Sequence, residues 1–158
     1  MLAEQESITS RLNDYEQQMR YDYIAGFEAL IAMLRSHGVR TAVVTSSNIP
    51  KMESVYRYQP GFKALFDAIL TSEDFDRSKP DPDCYQKAAQ RLGAQSDECI
   101  VFEDSFNGLR AGRAAKMAVV GLATTNAEEA IRPLSDIQLK DYEGLTFDRL
   151  QTLLSQAK

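Results

Sequence analysis

A three-layer α/β/α fold around a mostly parallel sheet is predicted for this 158-residue chain by three observations. Short buried-looking apolar runs alternate along the chain with stretches whose apolar residues recur at helical spacing, the pattern of βαβ units. Polar and charged residues gather directly after those runs, and right-handed crossovers would bring them to one edge of the sheet. The composition, 44% hydrophobic and 26% charged, with a length ample for one core, is that of an ordinary globular domain.

The elements follow in order. Residues 1–24 are polar with scattered Leu, Ile, Met and Tyr, enough for one or two helices with a weak apolar stripe. Phe27, Leu30, Ile31 and Leu34 obey the i, i+3, i+4, i+7 rule of an amphipathic helix, which Gly38 stops. Residues 41–45 read as a buried strand, and Ser46, Ser47 and Asn48 as the loop leaving it. Pro50 opens a shorter helix that Pro60 and Gly61 break, and residues 66–71 are the next strand. Asp81 is placed to cap a helix beginning at Pro82. Tyr85, Ala88, Ala89 and Leu92 line its inner face, and Gly93 ends it. Residues 99–102 form the third strand, an Ala-rich helix covers about 106–116, and residues 118–122 form the fourth strand. A short helix near 128–132 precedes a weak strand at 137–139. A last helix carries Phe147, Leu150, Leu153 and Leu154.

The totals narrow the function. A net charge of -5 argues against a nucleic-acid surface, which needs a basic patch. No apolar stretch approaches the roughly 18 residues of a membrane span, and the polar, acidic start is unlike a signal peptide. Cys84 and Cys99 have no metal-site spacing and fit small core residues of a reduced, cytoplasmic protein.

Three polar signals fall at or beyond strand ends. Thr45 and Ser46 follow the first strand, where hydroxyls and free backbone N–H groups hold phosphate. Lys79 stands before Pro80, which drives it toward an extended conformation, and a lysine so held is a point charge for phosphate. Glu103 and Asp104 end the third strand, where open α/β sheets bind ligands, and paired carboxylates suit Mg²⁺. Taken singly, each is also ordinary turn chemistry.

In this order and spacing they resemble the haloacid dehalogenase superfamily, in particular its β-phosphoglucomutase-like and sugar-phosphate phosphatase branch. The resemblance runs from about residue 25 to residue 158. AGFEALIAMLRSHGVRTAVVTSSN (25–48) resembles the family's second motif, which makes Thr45 the phosphate-binding hydroxyl with Ser46 beside it. SKPDPDCYQKAAQRLG (78–93) resembles the third, with Lys79 contacting the transferred phosphoryl group. CIVFEDSFNGLRAGRAAKM (99–117) resembles the fourth, with Glu103 and Asp104 at Mg²⁺. The resemblance implies a Rossmann-like core at 25–158 and a helical-cap remnant at 1–24. It also implies a phosphatase or phosphomutase acting on a small phosphorylated metabolite such as a sugar phosphate.

One departure stands against these matches. In the family a first, central strand ends in Asp-x-Asp-Gly, whose first Asp is the nucleophile, and no such motif occurs here. Asp14 has no strand before it and no Gly after it. Asp74 and Asp76 are followed by Arg77. The chain is therefore expected to be catalytically incomplete as it stands, with an open gap in its sheet and self-association across it. The competing reading is a non-catalytic module that binds Mg²⁺, phosphate or a protein partner. A response-regulator receiver is rejected, because its acidic pair comes first and its lysine last. His37, in the last turn of a helix, fits a favourable dipole interaction. Tyr56, Tyr58 and Phe62 fit packing under a loop, and Cys84 has no base beside it.

Overall fold

The structure, a computed structural model, describes residues 21–157. The chain is an α/β fold with parallel strands. In order it runs α1 (Phe27–Ser36), β1 (Ala42–Val44), α2 (Ile49–Tyr58), β2 (Ala68–Leu70), α3 (Asp83–Leu92), β3 (Ile100–Glu103), α4 (Phe106–Ala114), β4 (Ala118–Leu122), α5 (Glu128–Ile131), β5 (Ile137–Leu139) and α6 (Phe147–Gln156), with short 3₁₀ turns between some of these. The expected helical cap at 1–24 falls largely on residues 1–20, outside the described residues.

Strand alternation builds the three layers. Successive strand residues point to opposite faces. Val101 of β3 packs with Cys84, Tyr85 and Ala89 of α3 and Ala111 of α4, and Val119 of β4 packs with Leu109 of α4 and Ile131 of α5. The intervening Ile100 and Phe102 face the other way, onto Leu30 and Leu34 of α1 and Leu150 of α6, and Val120 meets Leu153 of α6. β4, flanked by strands on both sides, is buried at all five residues. Val119 and Val120 are fully excluded from solvent.

Among the described residues the strands form two ladders. β1 pairs with β2 in parallel, Val43 opposite Ile69. β3, β4 and β5 form the second, with Val101 opposite Val119 and Gly121 opposite Gln138. The Thr45 N–H donates to Leu70 O at 3.0 Å, so residue 45 faces β2 and the backbone of Val44 faces away from it. Likewise Cys99 O accepts from the Ala118 N–H, which turns the backbone of Ile100 and Phe102 away from β4. These two outward edges belong to the ladders that end at Thr45 and at Asp104, where the sequence reading places its gap.

The structure trims several boundaries. The first two strands keep only three residues each. α3 begins at Asp83 rather than at Pro82, because Asp81 Oδ1 accepts from the Asp83 N–H at 3.0 Å and stays in the turn. α4 stops at Ala114, and Lys116 beyond it adopts positive φ. Both cysteines carry free thiols, Cys84 buried and Cys99 half-buried, and burial pushes both thiols up.

Candidate active site

Two loops and one helix start assemble the site. The loop after β1 is held by its own side chains. Thr45 Oγ1 accepts from the Ser47 N–H at 3.0 Å, and Asn48 Oδ1 caps α2 by accepting from the Lys51 N–H at 3.0 Å, with Pro50 in the first turn. Ser46, between them, is left exposed. The Lys79 loop is fixed from below by Asp83, whose carboxylate accepts from the Asp76 and Arg77 N–H groups. Ser105 caps α4 by accepting from the Gly108 N–H at 3.0 Å.

Lys79 spans the interval between the two ladders. Its Nζ donates to Val44 O at 3.4 Å, at the end of β1, and to Glu103 Oε2 at 3.0 Å, at the end of β3. The two side chains are 11% and 10% exposed, so this is a largely desolvated ion pair, in which removing either partner is expensive. Tyr85, buried on α3, donates its hydroxyl to the same Oε2 at 2.7 Å, and its ring lies 5.1 Å from the ammonium.

Glu103 is saturated. Its other oxygen, Oε1, accepts from the Asp104 N–H at 3.1 Å, the Ser105 N–H at 3.2 Å and the Ser105 hydroxyl at 3.1 Å. Five donors address a carboxylate with about four lone-pair sites. Burial works to raise its pKa, but the Lys79 charge and the Tyr85 hydroxyl outweigh burial and hold the group below the usual carboxylate range. The same contact explains Gly108, since a Cβ there would lie 2.0 Å from Glu103 Cδ. Burial and the Glu103 charge together push the Tyr85 hydroxyl far up, so it remains a donor.

Asp104 is held differently. The Thr125 hydroxyl donates to its Oδ2, and Asn126 Nδ2 donates to its backbone carbonyl at 3.1 Å. The loop after β4 thus fixes the second carboxylate while leaving Oδ1 without a donor among the described residues. The donor set fits a Mg²⁺ ion that takes one carboxylate and fills its other positions with water and phosphate oxygens. No group of three acidic, His or Cys side chains able to hold a metal occurs among the described residues.

A cavity of about 480 Å³ opens in front of this network, lined by Ser46, Lys79, Ser105, Phe106, Asn107, Arg110 and Asn126. Of the five residues singled out in the sequence, Ser46 and Lys79 line it. Thr45, Glu103 and Asp104 stand outside that lining, the Glu103 carboxylate bonded to Lys79 and Ser105 and the Asp104 backbone carbonyl to Asn126, all three of which line it. Five further residues escaped the sequence reading: Tyr85, Asn107, Arg110, Thr125 and Asn126. Tyr85 has the spacing of a core residue and is also a donor. Thr125 and Asn126 lie just after a strand, and that position alone would have flagged them. His37 lies elsewhere: its ring stacks on Phe147 at 4.0 Å and its Nδ1 is 2.9 Å from Met33 O. Tyr56 and Phe62 pack on each other at 6.3 Å.

The sequence pattern of haloacid dehalogenase-like hydrolases matches residues 5–116. This chain belongs to that family. It is 35% identical over 127 aligned positions to the bifunctional riboflavin kinase/FMN phosphatase of Arabidopsis thaliana, covering 75% of this chain and 34% of that protein. It is 36% identical over 118 positions to validoxylamine A 7'-phosphate phosphatase of Streptomyces hygroscopicus subsp. limoneus, covering 75% and 54%. Among solved structures it is similar to CbbY from Rhodobacter sphaeroides in complex with phosphate, at a TM-score of 0.73 and 27% identity, over 81% of this chain and 58% of that one. The chain thus spans about a third to a little over half the length of these relatives. No described helix is long and apolar enough to cross a membrane.

Proposed function

We propose that this chain carries the phosphate- and magnesium-binding half of a haloacid dehalogenase-type phosphatase or phosphomutase for a small phosphorylated metabolite, a sugar phosphate above all. The observation that carries this reading is the convergence of Ser46, Lys79 and the capped start of α4 on one cavity. Those groups come from three separate strand ends, and a positive charge, a hydroxyl and a helix N-terminus are what a phosphoryl group binds. The named phosphatases among the relatives support it.

In this reading Lys79 and the Thr45 and Ser46 hydroxyls hold the phosphoryl oxygens. Lys79 offsets charge spread over them in the transition state. Asp104 is the carboxylate that holds Mg²⁺, which when bound polarises the phosphoryl group. Glu103, expected beside it as a second ligand, is narrowed here to a positioning residue: its five donors commit it to aiming Lys79. Residues 25–158 form the core and residues 1–24 the remnant of a cap. No residue of the 158 stands in an Asp-x-Asp-Gly motif, so the chain by itself binds a phosphate ester and leaves it uncleaved. That same absence favours the second reading, a non-catalytic phosphate-binding module.

Calorimetric titration of the 158-residue chain with inorganic phosphate and a hexose monophosphate, with and without Mg²⁺, tests the reading alongside a generic aryl phosphate assay. Binding that strengthens with Mg²⁺, loses that dependence in Asp104→Asn and is accompanied by no turnover is the expected result. Absence of phosphate binding under either condition refutes the site. Magnesium-dependent hydrolysis that disappears in Asp104→Asn refutes the incompleteness and means that the chain holds its own nucleophile.

A further inference from the structure

The Lys79 ammonium has three N–H bonds to distribute. Val44 O at 3.4 Å and Glu103 Oε2 at 3.0 Å accept two of them. The third has no acceptor among the described residues and is left for the cavity that Lys79 lines. How firmly Glu103 holds the ammonium therefore decides how much of its charge a ligand in that cavity meets. The two side chains are 11% and 10% exposed, so little solvent intervenes to weaken their attraction. A pair so desolvated competes directly with an anion for the same ammonium.

One further side chain bears on that competition. Tyr85 donates its hydroxyl to Glu103 Oε2 at 2.7 Å, the same oxygen that Lys79 contacts. A carboxylate oxygen offers two lone-pair directions, so the hydroxyl and the ammonium divide Oε2 between them. The other donors to Glu103, from Asp104 and Ser105, all address Oε1 and leave the Lys79 side to Tyr85. The Tyr85 ring packs with Cys84, Val101 and Ala111 in the core, which fixes where its hydroxyl points. Its ring also lies 5.1 Å from the ammonium, within reach of a cation–π contact. Tyr85 itself is not part of the cavity lining.

We propose that Tyr85 is a positioning residue that loosens the hold of Glu103 on Lys79, leaving the ammonium available to a phosphoryl group in the cavity. This rests on the reading of Lys79 as the phosphoryl-binding charge. The hydroxyl takes up part of the charge of Oε2 with a neutral donor, so the carboxylate aims Lys79 without fully neutralising it. With the hydroxyl gone, Lys79 is the remaining partner of Oε2, the ion pair tightens, and phosphate competes against the whole carboxylate. Phenylalanine at this position keeps the ring, its packing and its contact with the ammonium, so the change is confined to one hydrogen bond. The effect passes from Tyr85 to Lys79 through Glu103.

The test measures the affinity of the 158-residue chain for inorganic phosphate by calorimetry in Mg²⁺, for wild type, Tyr85→Phe, Glu103→Gln and the double variant. Exchange of the Lys79 ammonium protons with water, followed by NMR, is the second readout. Tyr85→Phe is expected to weaken phosphate binding by about three- to tenfold, the scale of one hydrogen bond, and to slow the ammonium exchange as the pair tightens. In the Glu103→Gln background there is no ion pair to tighten, so Tyr85→Phe changes phosphate affinity by less than about twofold. Tyr56→Phe deletes the same group from a ring that packs on Phe62 and leaves both readouts unaltered. Should Glu103→Gln fail to fold, the direction of the exchange decides, since a merely structural loosening around residue 85 speeds it. A Tyr85→Phe affinity within about twofold of wild type, an equal loss in both backgrounds, or faster exchange overturns the role of Tyr85 while leaving the phosphoryl site standing. Failure of the wild-type chain to bind phosphate overturns both.

Discussion

Replacing Gly108 by alanine puts a Cβ 2.0 Å from both Cδ and Oε2 of Glu103 and 2.3 Å from its Cγ. On helix propensity alone the change is favourable by up to about 1 kcal/mol. Sterically it requires well over 1 Å of movement, and there are two ways to supply it. α4 can shift as a unit, an overpacking cost at the upper end of about 1–3 kcal/mol. Alternatively Glu103 can swing out, abandoning the Lys79 ammonium and the Tyr85 hydroxyl, at about 3–5 kcal/mol for breaking a buried pair. Less the propensity gain, the net destabilisation is about 2–4 kcal/mol, a drop of about 1–2 M in urea midpoint at a slope near 2 kcal/mol/M. Equilibrium urea unfolding of wild type, Gly108→Ala, Glu103→Ala and the double variant reads it. In the Glu103→Ala background the obstruction is gone, so Gly108→Ala becomes neutral or stabilising, and the cycle isolates the contact. A Gly108→Ala protein as stable as wild type, or one equally destabilised in both backgrounds, refutes the account of how Glu103 is seated.

Glu103 also sets an acid dependence: its carboxyl titrates at about 2 in the folded protein against an ordinary 4.5. Its contribution, up to about 3 kcal/mol, is complete above the unfolded value and is lost as pH falls from about 4.5 toward 2. The stability gap between wild type and Glu103→Gln, measured by urea unfolding, should therefore narrow across that range, and a constant gap would contradict it. Tyr85→Phe keeps the packing of a buried ring and deletes one donor to the carboxylate, so it should cost about 1–3 kcal/mol. A loss below about 0.5 kcal/mol would mean that the hydroxyl is not engaged as described. The outward edges of β1 and β3 predict concentration-dependent self-association in light scattering after size exclusion, since open strand edges recruit further strands. A sharply melting monomer over a wide concentration range would show that these edges are satisfied within one chain.

Much of this was legible in the sequence because the relevant signals are local. The i, i+3, i+4 spacing of Leu30, Ile31 and Leu34 placed α1, and the apolar run 118–122 placed the buried strand β4. Pro50 placed the start of α2 to within one residue. Ser46 and Lys79, singled out for lying beyond strand ends, line one cavity. What was not legible depends on side chains meeting across elements. Tyr85 has the spacing of an ordinary core residue, and only the fold reveals its hydroxyl 2.7 Å from Glu103. Thr125 and Asn126 reach Asp104 from 21 and 22 residues away. Two adjacent acids read alike in sequence, yet one carboxylate is taken up by five donors and the other keeps an oxygen without one among the described residues. Gly108 reads as a mere weakness in a helix, and its reason is the side chain beneath it.

The central claim, that a phosphoryl group binds between Lys79, Ser46 and the start of α4, is tested most directly by titrating isotopically labelled wild-type chain with inorganic phosphate in Mg²⁺ and following backbone amides by NMR. The account predicts saturable shifts concentrated at Ser46, Ser105, Phe106 and Asn126, with the Lys79 side chain responding at the same concentration. Shifts centred elsewhere on the surface, or none at these amides when phosphate is bound, would contradict it.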